Sequence, residues 1–257
     1  MGPSSINIRA FARRLFHQTG DFLLPPTCLA CDTTVSRQGS LCPKCWQEAR
    51  FIEKPFCAVL GSPFAYDLGE GALSARAIAE RPRFNAARAV MLYEDVARRL
   101  VLGLKFSHRT DLAPWMAKLM VRAADGLLAD NPLIVPVPLH TSRMVMRRFN
   151  QAAELARAIA REEGLTYAPE MLVRTRATKQ QVRLGRRERA NNVSGAFQVP
   201  KGQRPWLKGR KIVLVDDVFT TGATLEACTR ALLRSGAAQV NCLTFARVAN
   251  GVAVHEI

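Results

Sequence analysis

Val213-Leu-Val-Asp-Asp-Val-Phe-Thr-Thr-Gly-Ala-Thr224 passes from an apolar triplet through two adjacent acids into a turn of threonine and glycine. With Lys211 and Ile212 in front of it, the triplet reads as a buried strand over Lys211–Val215. Ligands of open α/β sheets bind beyond the carboxyl ends of the strands, and Asp216 and Asp217 are expected at such an end. Thr220-Thr-Gly-Ala-Thr224 then leads into a helix expected over Leu225–Ser235. A loop of this kind offers backbone N–H groups backed by the positive end of a helix dipole. Gly222 lets the backbone approach a bulky phosphate. Thr220, Thr221 and Thr224 add hydroxyl donors. The two acids suit ribose hydroxyls, which donate, and the loop suits a phosphate, which accepts. An apolar strand ending in two acids has other readings. A Walker B strand would come with Gly-x4-Gly-Lys-Ser/Thr, and a dinucleotide fold with Gly-x-Gly-x-x-Gly before a helix, and neither motif occurs. A divalent-metal pair of carboxylates, or a plain strand followed by an N-capped helix, uses the same residue types. The order of all twelve residues favours the phosphate and ribose reading.

Outward from this segment, apolar runs alternate with helical periodicity. Strands are expected at Ala89–Tyr93, Leu133–Pro138, Met171–Arg174 and Val240–Val248. Helices are expected over Val96–Lys105, Leu112–Leu128 and Gln151–Glu163, with Gly236 ending the helix after the Thr-Gly loop. This alternation implies a mostly parallel α/β sheet flanked by helices. Upstream, Leu23-Leu-Pro-Pro26 stops a first helix. Residues 50 to about 85 are rich in glycine and proline and read as an irregular linker or a reduced subdomain. The expected division is 1–50, a helix and a cysteine module; 51–85, the irregular stretch; and 86–257, the α/β domain.

A second basic loop follows the strand at Leu133. Val137-Pro-Leu-His140 is succeeded by Arg143, Arg147 and Arg148 before Phe149-Asn-Gln151. Arginine forks pair well with phosphate oxygens, so this strand end is a candidate pyrophosphate seat. A solvated arginine-rich turn has the same composition.

Val213–Thr224 resembles the phosphoribosyl pyrophosphate motif of type I phosphoribosyltransferases. The resemblance implies that fold. It also implies that Asp216 and Asp217 hold the ribose 2′- and 3′-hydroxyls, while Thr220, Thr221, Gly222, Ala223 and Thr224 wrap the 5′-phosphate. More of the chain is similar to the ComF family of phosphoribosyltransferase-like proteins. The similarity lies in Leu104-Lys105-Phe106, Val137-Pro-Leu-His140 with Arg143, and Arg148-Phe-Asn-Gln-Ala152. It continues through Thr175-Arg176, Gln180-Gln181, Asn191-Asn-Val and Gly195-Ala-Phe197, and overall runs from about Leu23 to Phe245. It implies a pyrophosphate side formed by Lys105, His140, Arg143, Arg147 and Arg148. Mg²⁺ would accompany phosphoribosyl pyrophosphate. In type I enzymes a loop near Arg174–Asn192 closes over substrate and excludes water. Lys179, Arg183, Arg186 and Arg187 are the cations expected there.

Cys28-x2-Cys31 and Cys42-x2-Cys45 are two CxxC pairs, the ligand set of a closed tetrahedral zinc site. Such a site would be structural and would hold a zinc-ribbon-like unit too small for its own core. A redox CxxC is the competing reading. Many ComF-like proteins carry further CxxC pairs downstream. Here Cys57-Ala-Val-Leu60 keeps one cysteine, so a second metal site is not expected. Cys57, Cys228 and Cys242 are read as ordinary buried thiols.

Lys and Arg total 37 against 21 acids, a net charge of +16, which favours polyanionic partners. No apolar run is long enough to span a membrane. Arg9, Arg13 and Arg14 are not followed by an apolar signal core, so a cytoplasmic location is expected. Two functions remain. One is an enzyme transferring a 5-phosphoribosyl group from phosphoribosyl pyrophosphate to an acceptor the sequence does not name. The other is a factor binding nucleotide or single-stranded DNA without turnover, together with DNA-uptake proteins, since phosphate contacts alone supply affinity.

Overall fold

A computed structural model describes residues 25–106, 109–139, 149–175 and 195–249. The chain divides into two compact units, Met1–Glu48 and Ala49–Ile257. The first contains α1 (Pro43–Glu48). The second contains α2 (Ala75–Ala79), β1 (Ala87–Leu92), α3 (Asp95–Phe106), α4 (Leu112–Ala123), β2 (Leu133–Pro136), α5 (Gln151–Glu163), β3 (Val173–Arg174), β4 (Phe197–Gln198), α6 (Arg204–Leu207), β5 (Lys211–Phe219), α7 (Ala223–Arg234) and β6 (Gln239–Arg247).

Four strands form one sheet in the order β1-β6-β5-β2, every neighbouring pair parallel. β3 and β4 make a separate antiparallel pair. Parallel strands are covered on both faces and so read as unbroken apolar runs. Ile212, Val213, Leu214 and Val215 of β5 are all fully buried, as are Cys242, Leu243 and Phe245 of β6. The expected parallel α/β architecture is thus the one observed.

The helices follow from their stripes and caps. α3 buries Val96, Leu100, Val101 and Leu104 on one side. α5 starts where the Asn150 side chain accepts from the Ala152 N–H and stops at Gly164, whose φ of 65° is left-handed. The periodicity after Leu112 suggested a helix to Leu128, but α4 ends at Ala123. Asp125 and Gly126 have φ of 47° and 82°, which an α-helix cannot contain.

The strand before the Thr-Gly loop is longer than Lys211–Val215. It remains paired with β6 through Asp216↔Thr244, Val218↔Ala246 and Phe219↔Arg247. The two acids therefore lie within β5, near its carboxyl end. Residues upstream of the sheet share its core. Cys57, Val59, Leu60, Ala77 and Phe84 cluster with Leu214, Phe219, Leu225 and Cys228.

Candidate phosphate and ribose site

β5 delivers Asp216 and Asp217, a short turn follows, and α7 begins at Ala223. Thr220, Thr221, Gly222, Ala223 and Thr224 are all half-buried. Gly222 has a φ of +83°, and a Cβ there would sit 2.8 Å from Phe219 Cζ. The turn is thus restricted to glycine twice, by its dihedral and by the ring beneath it. Within the turn Ala223 N donates to Thr221 Oγ1 at 3.4 Å, and Glu226 N donates to Gly222 O at 2.8 Å. The carbonyl of Thr221 accepts from Arg76 Nη2 at 2.5 Å.

The two acids have different surroundings. Lys105 Nζ lies 3.1 Å from Asp217 Oδ2, and the side chains are only 10% and 13% exposed. Tyr93, itself buried, shares this corner. Burial and the Asp217 charge push its phenol above the usual value, and its hydroxyl has no hydrogen-bond partner among the described residues. Asp216 is half-buried and accepts from the Asp217 N–H at 2.9 Å. Burial and the adjacent Asp217 push its carboxyl up to about 8, against the opposing pull of Lys105 and Arg174.

Arg76, Tyr93 and Arg174 carry no motif, and Arg247 sits inside an apolar strand, so sequence patterns pass over all four. Arg247 is 4% exposed, donates to Leu60 O, and stacks with its Cζ 5.1 Å from the Phe219 ring centre. Arg174 stacks on Phe197 at 5.4 Å. A cavity of 270 Å³ lies beside the turn, lined among others by Arg76, Phe84, Phe219, Thr221 and Glu226. Phe84 meets Phe219 edge-on at 6.2 Å. His140, Arg143, Arg147 and Arg148, and the loop cations Lys179, Arg183, Arg186 and Arg187, lie outside the described residues.

Residues 151–256 match the phosphoribosyl transferase domain family, and residues 19–78 match the double zinc ribbon domain family. The chain is 33% identical to the DNA utilization protein YhgH of Salmonella typhimurium over 225 residues, which cover 84% of this chain and 88% of that protein. It is also 25% identical to competence protein F of Haemophilus influenzae over 86% of this chain and 96% of that protein. This chain belongs to the ComF/YhgH family. A more distant member is competence protein ComFC of Bacillus subtilis, 29% identical over 62% of this chain and 63% of that protein. Among solved structures, TT1426 of Thermus thermophilus aligns with a TM-score of 0.33 at 18% identity, covering 56% of this chain and 86% of that one. HGPRT-ase of Leishmania tarentolae in complex with GMP aligns with a TM-score of 0.29 at 20% identity, covering 52% and 66%.

The family's zinc-ribbon portion is present as four cysteines in the first unit. The Sγ atoms of Cys28, Cys31, Cys42 and Cys45 all lie within 4.8 Å of one another. Zn–S bonds of about 2.3 Å imply sulfurs about 3.8 Å apart, so the set fits a tetrahedral zinc ion. Cys31 Sγ and Cys42 Sγ are already 3.6 Å apart. Backbone N–H groups point at the sulfurs as they do in zinc knuckles: Cys42 N donates to Cys28 Sγ at 3.2 Å and Cys45 N to Cys42 Sγ at 3.4 Å. Hydrogen bonding to Thr33 lowers the Cys31 thiol to about 6, toward the thiolate that a metal needs.

The matched region continues past a second cysteine position with a different solution. Cys57 is fully buried, and its Sγ accepts from Leu60 N at 3.4 Å, Ser74 N at 3.3 Å and Ser74 Oγ at 3.4 Å. Burial alone would raise this thiol, but the donors from Ser74 and Leu60 outweigh it and lower the value. Among the described residues, the Cys28 set is the one group arranged to hold a metal. No helix among them is long and apolar enough to cross a membrane.

Proposed function

We propose that this chain holds a phosphorylated ribose at Asp216, Asp217 and the Thr220–Thr224 turn, within the unit Ala49–Ile257. The ligand is a nucleotide or phosphoribosyl pyrophosphate. We further propose that the chain serves DNA utilisation or uptake as a nucleotide- or single-stranded-DNA-binding factor. The observation that carries this reading is the β5–turn–α7 unit. Two adjacent aspartates near the end of β5 are followed within a few residues by a glycine-dependent turn at the start of a 12-residue helix. The turn and helix start suit a phosphate, and the two acids suit sugar hydroxyls. The relatives named for DNA utilization and competence support the biological setting. The +16 charge supports a polyanionic partner.

A second reading is favoured by the phosphoribosyl transferase match over 151–256. In it the bond from ribose C1′ to pyrophosphate breaks and one from C1′ to an acceptor forms. His140, Arg143, Arg147 and Arg148 would surround the leaving pyrophosphate, whose charge Mg²⁺ would share. The protein's contribution would be positioning and electrostatic stabilisation.

One experiment separates the readings. The zinc-loaded chain is incubated with labelled phosphoribosyl pyrophosphate, Mg²⁺ and a panel of bases and amines. The same preparation is titrated with a single-stranded oligonucleotide across salt concentrations. The binding reading expects no pyrophosphate release, and oligonucleotide affinity that falls steeply with salt. Release that disappears in Asp216→Ala establishes the transfer reading instead. Failure of both phosphoribosyl pyrophosphate and nucleotides to bind refutes the site.

A further inference from the structure

Residues 55–79 repeat the backbone pattern of the cysteine ribbon at 26–48, each stretch inside its own unit. The Cys28 N–H donates to Thr33 O at 2.7 Å, and its carbonyl accepts from Asp32 N at 3.2 Å. Cys57 makes the same two bonds, to Ser62 O at 2.8 Å and from Gly61 N at 2.8 Å. Asp32 and Gly61 are both left-handed, with φ of 59° and 64°. Antiparallel bridges flank both turns, Thr27↔Thr34 and Phe56↔Pro63. The second halves correspond as well. Cys42 N donates to Cys28 Sγ at 3.2 Å, as Ser74 N does to Cys57 Sγ at 3.3 Å. Cys45 N donates to Cys42 Sγ at 3.4 Å, as Ala77 N does to Ser74 Oγ at 3.3 Å. Positions 57, 60, 74 and 77 thus stand where Cys28, Cys31, Cys42 and Cys45 stand in the first ribbon. The double zinc ribbon match over 19–78 implies a second zinc, and these residues do not fit one. A closed site takes four donors, and the buried side chains of Leu60 and Ala77 offer none. Packing holds this ribbon instead: Cys57, Leu60 and Ala77 join the core cluster of Phe219, Leu225 and Cys228.

Both halves of this second ribbon reach the Thr220–Thr224 turn. The carbonyl of Leu60 accepts from Arg247, whose guanidinium stacks on the Phe219 ring beneath Gly222. Arg76, between positions 74 and 77, donates from Nη2 to Thr221 O at 2.5 Å. The Thr221 carbonyl and the Gly222 N–H share one trans peptide plane and point opposite ways. Tying the oxygen to Arg76 therefore fixes an N–H at the start of α7, where a phosphate would bind. We infer that residues 55–79 are a metal-free second ribbon that clamps the Thr220–Thr224 turn, with Arg76 as its positioning residue. The effect on ligand binding rests on the ribose-phosphate reading of the turn; the ribbon and its grip on the turn do not.

Elemental analysis of the full chain carrying Leu60→Cys, Ser74→Cys and Ala77→Cys together tests the ribbon. The variant is expected to hold one more zinc per chain than wild type, because the backbone frame is already that of a zinc ribbon. A folded variant with no added zinc overturns the inference. Hydrogen exchange of the wild-type chain decides even if that variant does not fold. Chelator is expected to leave protection at residues 57–79 intact, and its loss there overturns the inference. Arg76→Ala tests the clamp. Amides 220–224 are expected to exchange about tenfold faster with β6 unchanged, and affinity for ribose 5-phosphate to fall about tenfold. Arg76→Lys, which keeps a cationic donor, is expected to recover most of both. A merely structural arginine would loosen β6 along with the turn; that outcome, or unchanged exchange at 220–224, overturns the inference. A wild-type chain that does not bind ribose 5-phosphate defeats the site reading alone, since the zinc count and the exchange at the turn still judge the ribbon.

Discussion

Asp216 shows how far one residue's neighbours change its chemistry. Burial and the adjacent Asp217 raise its carboxyl to about 8, so the folded chain keeps a proton there that the unfolded chain gives up near 4. The folded state therefore binds more protons across that interval, and stability falls as pH rises from about 4 toward 8. Lys105 and Arg174 limit the rise but do not cancel it. Asp216→Asn, which cannot ionise, is expected to remove this part of the slope and to gain stability relative to wild type at the alkaline end. Urea unfolding midpoints at pH 5 and pH 8 check it. A wild-type chain that gains stability over that range relative to Asp216→Asn contradicts the assignment. The residue types at this site were legible in the sequence. The difference between the two acids was not, because it comes from Lys105, more than a hundred positions earlier.

At the scale of elements, the unit from β5 through the turn to α7 is held from outside as well as by its own sequence. Gly222 has a left-handed φ above the Phe219 ring. Phe219 in turn lies between the Arg247 guanidinium and the edge-on Phe84 ring. The Thr221 carbonyl is tied to Arg76. Gly222→Ala is expected to cost about 1–2 kcal/mol for the dihedral, and more for the displaced ring. Phosphoribosyl pyrophosphate affinity should fall along with it. Denaturant unfolding and ligand titration of the same variant read both effects. Unchanged stability would show that the turn relaxes to another conformation at no cost. The glycine was legible because only glycine takes a left-handed φ freely in a tight turn between strand and helix. The supports were not, since Arg76 and Phe84 come from far upstream of the turn and Arg247 from β6.

For the whole molecule, the division into Met1–Glu48 and Ala49–Ile257 separates two sources of stability. The second unit has a four-stranded sheet with a buried centre. The described part of the first unit is short and contains four thiols in metal-binding geometry. Zinc is expected at one equivalent per chain by elemental analysis, because Cys57 satisfies its sulfur with three protein donors instead of a metal. Two equivalents would contradict this. Chelation is expected to abolish amide protection across residues 25–48, while β5 and β6 keep theirs. Hydrogen exchange before and after chelator treatment measures it, and loss of protection in β5 would mean that the two units unfold together.

The sequence by itself determined the kind of fold, the four cysteines that the fold gathers and the place of the glycine turn. Each depends on local pattern: unbroken apolar runs for parallel strands, CxxC spacing for thiolate pairs, and glycine where the backbone must turn left-handed. Only the tertiary structure decided which acid is ion-paired. Strand continuation past Asp217 sends the two carboxylates to opposite faces, and packing of α3 brings Lys105 to one of them. It also decided that residues 57–84 share the core of the sheet domain, with Leu60 and Phe84 packed where the turn begins. Such choices arise from long-range packing of residues that no local spacing connects.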